Sequence, residues 1–317
     1  MTRFLLHRLW QSILVLGLMS FVIYGLMGMM PGDPIDLMIS SNPDITSEDT
    51  ARLRALYGLD KPILERYGNW LAAAASGDFG YSRVHARPVL EVLAPALWNT
   101  LQLLGLAIFV SIAISIPIGV LAAARPYSRL DYAVNLLAFA GISVPVFWLG
   151  LLLIIVFAVI LGILPAGGTM TVGDGGFLDR LSYLILPAAT LTIASVGGHT
   201  RYVRSAMIEV LRQDYIRTAR AKGLGRHRVL LKHALRNAMV PVVTIVALDF
   251  GFLFSGALVT ETIFAYPGMG KMIFDAIMGN DFNLALVSLL FATTLTVLGN
   301  LLADLAYAWL DPRVSYR

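Results

Sequence analysis

Long apolar stretches alternate along the chain with short polar segments. A helix that crosses the hydrocarbon core of a bilayer needs about 20 predominantly apolar residues. Stretches of this kind predict six membrane-spanning helices: Leu9–Met30, Trp98–Ala123, Val134–Leu164, Tyr183–Val203, Ala238–Ile263 and Leu284–Trp309. The first apolar run is longer than the core of a signal peptide, and we therefore expect it to be a retained helix.

The third segment is longer than one span requires. As a helix it would cover roughly 46 Å at 1.5 Å per residue, against a hydrocarbon core of about 30 Å. The sequence after it, GGTMTVGDGG, is too rich in glycine to supply a further span. We therefore predict one long or tilted helix with a kink at Pro145, whose ring removes a backbone hydrogen bond.

The composition agrees with a protein embedded in lipid. Hydrophobic residues make up 57% of the chain and charged residues 14%, whereas charged residues are about 25% of a soluble domain. The mean hydropathy is +0.74. Because helices satisfy their own backbone hydrogen bonds in lipid, we predict an all-α integral membrane protein. The chain contains no cysteine, which excludes disulfide bonds and thiolate metal sites.

Basic and acidic residues are divided unevenly between the connecting segments. The two terminal tails, the loop after the second span and the segment 201–236 are rich in Arg and Lys, whereas the segment 33–91 holds more acids than bases. With six spans, every base-rich segment falls on one side of the membrane, which the positive-inside rule assigns to the cytoplasm. We therefore predict cytoplasmic termini and an acidic segment outside.

The acidic outer segment carries the signals of two short helices. Thr46 and Asp49 have the spacing of a helix N-cap, and Gly58 is a stop signal. The stretch ILERYGNWLAAAA predicts the second helix. Such a segment is either a docking surface or a solvated linker around the outer helix ends, and the sequence favours neither.

The most basic stretch of the chain, DYIRTARAKGLGRHRVLLKH, begins at Asp214. Gly223 and Gly225 interrupt two helical patterns of apolar residues, which comprise Val203, Met207, Val210, Leu211 and Tyr215 before the glycines and Leu230, Leu231, Ala234, Leu235 and Ala238 after them. The charge alone fits attraction to anionic lipid. A compact turn between amphipathic helices equally fits a groove on a partner protein, and nucleic acid is the weaker third interpretation.

The same stretch resembles the signature loop of bacterial ABC-importer permeases. Aligned on Gly223, Ala219 and Leu235 also match the general pattern of that loop, while Arg236 stands where the pattern has proline. The sequence DYIRTARAKGLG…HALRNAMVPV is similar to the variant found in the dipeptide, oligopeptide and nickel branch of the family. Further matching stretches follow in order along the whole chain: MMPGDP, YGLDKP, GDFGYS, VPVFWLGLLL, TETIFAYPGMG and LDPR.

The resemblance implies a type I importer permease of six helices in the bacterial cytoplasmic membrane. Residues 1–30 would form a cytoplasmic tail and the first helix, 31–96 a periplasmic helical segment, 97–309 the transmembrane core and 310–317 a cytoplasmic tail. Within the core, the segment 204–236 would couple to an ATPase through Arg217, Thr218, Ala219, Arg220, Ala221, Lys222, Gly223, Leu224 and Gly225. The implied partners are a second homologous permease, two cytoplasmic ATPases and a periplasmic or lipid-anchored substrate-binding protein, besides membrane lipid.

The sequence lacks the motifs of catalysis and of nucleotide binding. Its closest approach to a phosphate-binding loop, AYPGMGKM, has Ala265 in place of the first glycine and ends in Met272. We therefore expect a transport subunit rather than an enzyme, with no cofactor of its own and with ATP and Mg²⁺ held by the partner ATPases. Ser195 and His199 lie four residues apart without a nucleophile elbow, which disfavours an intramembrane protease.

Asp249 lies in the middle of the fifth span, where an ionisable residue is unfavourable and usually faces a cavity or a partner. Together with Ser255 it is a candidate for the translocation pathway, and the alternatives for Asp249 are a hydrogen bond or ion pair with the second permease, or a protonated acid. Glu261 and Asp304 lie nearer the ends of their spans, where we expect structural roles, and His199 is expected at the membrane interface.

The sequence leaves alternatives open for the cargo and for the energy source of transport. The branch that the chain resembles implies dipeptides or oligopeptides, with oligosaccharide, nickel chelate or glutathione as alternatives. Outside this family, an ion-coupled secondary transporter would use intramembrane carboxylates such as Asp249. No internal repeat in the sequence supports that second class of transporter.

Overall fold

The computed structural model describes residues 2–29, 46, 49, 52, 60–173 and 175–310, with positions 2–5, 244, 247–256 and 306–310 described as backbone alone. The helices in this part of the chain are α1 Thr2–Met27, α2 Ile63–Ala75, α3 Val89–Ala124, α4 Arg129–Ser143, α5 Val146–Leu153, α6 Phe177–Leu211, α7 Asp214–Ala221, α8 Arg226–Arg228, α9 Arg236–Ile263, α10 Met269–Met278 and α11 Phe282–Leu310. There are also two π-helical segments. The first, π1 Ile154–Ile160, continues α5, and the second, π2 Val229–Leu235, connects α8 to α9. A short antiparallel hairpin pairs β1 Tyr81–Ser82 with β2 Arg87–Pro88 just before α3.

Helical structure occupies each of the predicted spans. In the described part of the chain, 4 single helices are long and apolar enough to cross a membrane: α1 from Leu6, α3, α6 and α11 up to Leu305. These helices correspond to the first, second, fourth and sixth predicted spans. The fifth predicted span lies within the 28 residues of α9. The total of six spans stays a prediction.

The third predicted span is broken rather than tilted. α4 ends at Ser143, α5 begins at Val146, and the two helices meet at an angle of 97°. Val144 is extended, with φ −86° and ψ 124°, which is the conformation that a proline imposes on the residue before it. The expectation of one long or tilted helix with a kink at Pro145 is therefore wrong, although Pro145 is where the break occurs.

The larger of two buried apolar clusters lies at the end of the bundle that carries the β-hairpin, and we call it the hairpin-end cluster. It joins the C-terminal half of α1 to the N-terminal halves of α3, α6 and α11, to the last turns of α9 and to α10. Tyr24 of α1 and Phe282 of α11 meet there edge to face, with ring centroids 5.7 Å apart. The cluster fixes α1 against α11 at this end of both helices.

Of the acidic segment 33–91, the part from α2 onward packs at the same end of the bundle. The hydroxyl of Thr46 donates to Asp49 Oδ2 over 2.6 Å, and the Asp49 amide donates back to Thr46 Oγ1 over 3.2 Å, which confirms the predicted N-cap pair. Gly58, the predicted stop, lies outside the described residues. The predicted second helix is α2, and its Tyr67 hydroxyl lies 2.6 Å from Ser20 Oγ of α1.

The smaller apolar cluster lies at the opposite end, which we call the basic end because α7 and its arginines lie there. It gathers buried residues from α3, α6, α7, π2 and α9: Val120, Ala123, Val203, Ala206, Met207, Ile216, Ala219, Val229, Ala234, Ala238 and Val242. α3 and α6 run parallel into this cluster and approach closely at Gly119, where an added Cβ would lie 2.7 Å from Val203 Cβ. A side chain at position 119 would therefore force α3 and α6 apart.

Candidate functional site

The predicted coupling segment forms a separate short helix, α7, at the basic end of the bundle. Its 8 residues lie between the end of α6 and the continuous helical run that begins at Arg226 and passes through π2 into α9. The sequence pattern predicted that the helix before the glycines would continue unbroken from Val203 to Tyr215. That expectation is wrong, because α6 ends at Leu211 and Gln213 is extended, with φ −70° and ψ 151°.

One face of α7 is buried against the rest of the chain. Ile216 is 0% exposed and Ala219 is 6% exposed, and both belong to the cluster at the basic end. Their neighbours include Met207 near the end of α6 and Val229 and Ala234 of π2. Buried apolar side chains of this size each contribute on the order of 1–3 kcal/mol. α7 is therefore seated on α6 and π2 and is not a free loop.

The turn after α7 is closed by two backbone hydrogen bonds, both donated by amides of the turn to carbonyls of the helix. The Gly223 amide donates to the Arg220 carbonyl over 2.9 Å, and the Leu224 amide donates to the Ala219 carbonyl over 3.3 Å. These are the two bonds of a Schellman motif, in which the residue after the helix takes a left-handed conformation. Gly223 has φ +77°, a conformation that side-chain-bearing residues adopt at a cost. Leu224 folds back onto the buried cluster and completes the motif.

An arginine joins the turn to a second transmembrane helix. Arg226, which follows the turn, donates from Nη2 to the carbonyl oxygen of Ala124 over 2.7 Å. Ala124 is the last residue of α3, where the carbonyls of a helix lack partners within the helix. The end of α3 and the start of the helical run into α9 are thus connected through one side chain.

The other face of α7 and its turn is exposed and basic. Of the nine predicted coupling residues, Ala219 is buried and Leu224 is half-buried, and the remaining seven are exposed: Arg217, Thr218, Arg220, Ala221, Lys222, Gly223 and Gly225. Asp214 lies 3.3 Å from Arg217, but both are exposed, so this pair adds little stability. Partial burial raises the pKa of the Tyr215 hydroxyl above its ordinary value. The structure therefore presents a compact cationic surface.

A second connection at the basic end was missed by the sequence analysis. Arg204 of α6 donates from two nitrogens to the carboxylate of Asp131 in the first turn of α4. Asp131 is 2% exposed and also accepts the amide of Tyr127 over 2.8 Å. The Ser128 hydroxyl caps α4 by accepting the Asp131 amide. The capping-box spacing of Ser128 and Asp131 was an available signal for the start of α4, but not for the pairing of Asp131 with Arg204.

The candidate pathway residues Asp249 and Ser255 both lie in α9, within the stretch described as backbone alone. The structure thus places their backbone in the predicted fifth span. Their role in the pathway stays a prediction.

His199 lies inside the bundle and not at its surface. It is 2% exposed, and its Nδ1 lies 2.8 Å from the hydroxyl oxygen of Ser111 in α3. Ser195 donates to Ser111 over 3.1 Å. This buried group links α3 to α6, and the placement of His199 at the depth of the membrane interface stays a prediction.

Two family models match this chain. Residues 115–316 match the family described as "Binding-protein-dependent transport system inner membrane component". Residues 1–103 match the family described as "Binding-prot-dependent transport system membrane comp, N-term".

Curated relatives are similar over complete chains. The oligopeptide transport system permease protein AppB of Bacillus subtilis is 42% identical over 318 residues, with 100% of both chains covered. The dipeptide transport system permease protein DppB of Escherichia coli is 38% identical over 339 residues, again with 100% of both chains covered.

Two solved structures share the fold of this chain. A chain of the inward-facing MetNI methionine ABC transporter matches with a TM-score of 0.56 at 19% identity, covering 70% of this chain and 97% of that chain. A chain of an amino acid ABC transporter crystallised with histidines matches with a TM-score of 0.53 at 14% identity, covering 69% and 94%. At these identities the likeness concerns the fold alone.

Proposed function

Because this chain belongs to the family of binding-protein-dependent transport system inner membrane components, we propose that it forms half of the translocation pathway of an ATP-driven peptide importer. A second, homologous permease forms the other half. Identities of 42% with an oligopeptide permease and 38% with a dipeptide permease, over complete chains, support peptides as the cargo. Oligosaccharide, nickel chelate and glutathione are the alternatives within the same type of permease.

The chain is a multi-pass protein of the inner membrane and a transport subunit rather than an enzyme. Its family works with a partner ATPase and a substrate-binding protein, and ATP is hydrolysed in the separate ATPase subunits. In the proposed assembly two ATPases bind from the cytoplasm, with their ATP and Mg²⁺, and a periplasmic or lipid-anchored binding protein delivers cargo from the other side.

The proposed orientation places the basic end in the cytoplasm. Six spans then put both termini on that side and the segment 31–96, with α2, in the periplasm. The observation that supports this orientation is the concentration of exposed arginines at α7, together with the positive-inside rule.

We assign ATPase coupling to the exposed face of α7 and its turn. The carrying observation is that this short helix has two distinct faces, one seated in the cluster at the basic end and one exposed and cationic. A helix of this kind fits a groove on a partner, and Arg217, Arg220 and Lys222 pair there with acidic side chains of the ATPase.

Motion of the ATPases reaches the spans through the contacts under α7. Ile216 and Ala219 press on α6 and π2, and Arg226 holds the turn to the end of α3. When the ATPases close on ATP, these helix ends move with α7 and the pathway opens outward to accept cargo. Hydrolysis releases the ATPases and resets the pathway toward the cytoplasm. In this scheme Asp249 and Ser255 contact cargo in α9.

The experiment that tests this proposal is co-purification of the complete transporter, expressed with its partner subunits, from membranes. The double variant Arg220→Glu/Lys222→Glu reverses the charge of the α7 surface without touching its buried face. We expect it to lose the ATPase subunits and the peptide-stimulated ATP hydrolysis while retaining the second permease. Arg228→Glu/Lys232→Glu is the matched control, since both residues are exposed bases outside α7.

Equal ATPase retention by the two double variants would overturn the coupling assignment. Uptake of peptide that is driven by an ion gradient, with no ATPase in the purified complex, would overturn the importer itself and leave an ion-coupled transporter in its place.

A further inference from the structure

A cavity of about 530 Å³ lies between α1 and α11 toward the basic end of the bundle. One ion pair crosses it, with Arg8 Nε of α1 lying 3.1 Å from Asp304 Oδ2 of α11. Both charged side chains remain accessible, at 42% and 30% exposure. The cavity therefore has a charged mouth that contains one cation and one anion side by side.

The walls of this cavity change from polar to apolar in the same direction on both helices. On α1 the polar lining residues end at Ser12, and the apolar Leu14 and Val15 follow. On α11 the apolar Val297 comes first and the charged Asp304 last. Because α1 and α11 run in opposite directions, the polar walls of both helices lie toward the basic end and the apolar walls toward the middle of the bundle.

The cavity exists because α1 is attached along only part of its length. Ile23, Tyr24 and Met27 are buried in the hairpin-end cluster. Trp10 and Leu14, nearer the other end of α1, are 63% and 55% exposed. An apolar gap in a bilayer does not stay empty, since its walls would lose their dispersion contacts.

We propose that this cavity binds one phospholipid of the cytoplasmic leaflet whose headgroup carries both a phosphate and an ammonium group. The upper part of an acyl chain lies along Leu14 and Val15. The phosphate lies at Arg8, with the side-chain amides of Gln11 and Asn300 as further donors. The ammonium group lies at the Asp304 carboxylate. The choice of leaflet rests on the proposed orientation of the chain.

The paired charges at the mouth select this headgroup over a purely anionic one. A zwitterionic headgroup places its phosphate on the cation and its ammonium on the anion. An anionic headgroup brings a phosphate to Asp304 with no positive group to offset that carboxylate. Such complementarity acts mainly on specificity. The length of the lining from position 7 to position 15 is roughly 12 Å at 1.5 Å per residue, which matches a headgroup and the first part of an acyl chain.

The test is native mass spectrometry of the assembled transporter after exchange into mixed micelles with equal amounts of phosphatidylethanolamine and phosphatidylglycerol. We expect the wild-type complex to retain one phosphatidylethanolamine. The variant Leu14→Trp fills the apolar part of the cavity, and its retention of this lipid should be about tenfold lower, which corresponds to about 1.4 kcal/mol of binding free energy. Leu18→Trp is the matched control, because Leu18 is similarly exposed on the same helix but does not line the cavity. The mass of the complex in the same spectrum shows that each variant has assembled.

A second variant tests the selection of the headgroup separately from the binding of the acyl chain in the apolar part of the cavity. Asp304→Asn removes the partner of the ammonium group, and we expect the preference for phosphatidylethanolamine over phosphatidylglycerol to fall by about fivefold, in line with a partly exposed charge pair. Equal lipid retention by the two tryptophan variants would overturn the site. Equal retention of both lipids by the wild-type complex would overturn the proposed headgroup. Neither readout requires transport, so either failure leaves the proposed function standing.

Discussion

Thr100 of α3 donates a hydrogen bond to Glu261 Oε1 of α9 over 2.5 Å and accepts one from the Met269 amide over 2.7 Å. Both side chains are 0% exposed. The second carboxylate oxygen of Glu261 accepts the Lys271 amide over 3.1 Å. A carboxylate is thus placed at the N-terminus of α10, where the helix dipole favours negative charge. One threonine and one glutamate hold three helices together at the hairpin end.

Thr100→Val is expected to destabilise the protein, because it removes the hydroxyl and leaves both Glu261 and the Met269 amide without this partner. An unsatisfied buried polar group costs about 1–3 kcal/mol. The measurement is the Tm of the purified complex in detergent. Thr190→Val is the control, since Thr190 is equally buried but bonds only its own helix, at the Leu186 carbonyl. Equal losses of Tm in the two variants would contradict a special role for Thr100.

Asp131→Ala is expected to destabilise the basic end of the bundle by on the order of 3 kcal/mol, because it leaves the Arg204 guanidinium partly buried without its carboxylate. Thermal unfolding of the purified complex measures this loss. Asp214→Ala removes the carboxylate of the exposed pair with Arg217 and should change stability by about 0–1 kcal/mol. A similar effect of the two substitutions would mean that burial of Asp131 does not matter.

Gly223→Ala is expected to weaken transport more than Gly225→Ala. Gly223 has φ +77°, where a Cβ is strained by about 1–2 kcal/mol, whereas Gly225 has φ −62°, which alanine adopts freely. Gly223→Pro should abolish transport and leave membrane insertion intact, because its ring cannot adopt a positive φ and removes the amide that bonds Arg220. Uptake and ATP hydrolysis are measured in proteoliposomes. Normal uptake by Gly223→Pro would rule out a coupling role for this turn.

Asp249→Asn is expected to lower the uptake of cationic peptides more than that of neutral ones, because it removes a negative charge from the proposed pathway. Competition between two labelled peptides of equal length, one with lysine and one with glutamine, measures the change in preference. Ser255→Ala is the companion variant and should affect both peptides alike. Reduced uptake of both peptides in equal proportion by Asp249→Asn would favour a contact with the second permease.

The apolar pattern was sufficient to locate α1, α3, α6 and α11, the four single helices that the described part of the chain shows to be long and apolar enough to cross a membrane. Pro145 marked the position of the break, although only a kink was predicted there, because proline constrains its own φ and the residue before it. The angle of 97° was not predictable, since it depends on what α4 and α5 pack against. The left-handed turn at Gly223 was predictable in position and is now explained by its two backbone bonds.

The sequence did not reveal contacts between distant segments. Nothing in the local pattern pairs Asp131 with Arg204, because the two residues are brought together only when α4 packs on α6. The end of α6 at Leu211 was missed for a different reason: no glycine or proline marks it, and the signal is confined to Asp214 in the first turn of α7. The burial of His199 between helices was not predicted, because a single helix does not show which neighbour covers its polar side chain.

If α7 couples to an ATPase as proposed, its two faces are subject to separate evolutionary constraints. Ile216 and Ala219 must fit the interior of this chain, so they can change only together with the helices beneath them. Among the described residues, the ion pair of Arg217 with Asp214 lies within α7 itself, so the exposed bases would be constrained mainly by the proposed partner. A lineage can therefore exchange one partner for another by altering a handful of surface positions, and a related transporter could share the same motor subunit while its spans diverge toward a different cargo.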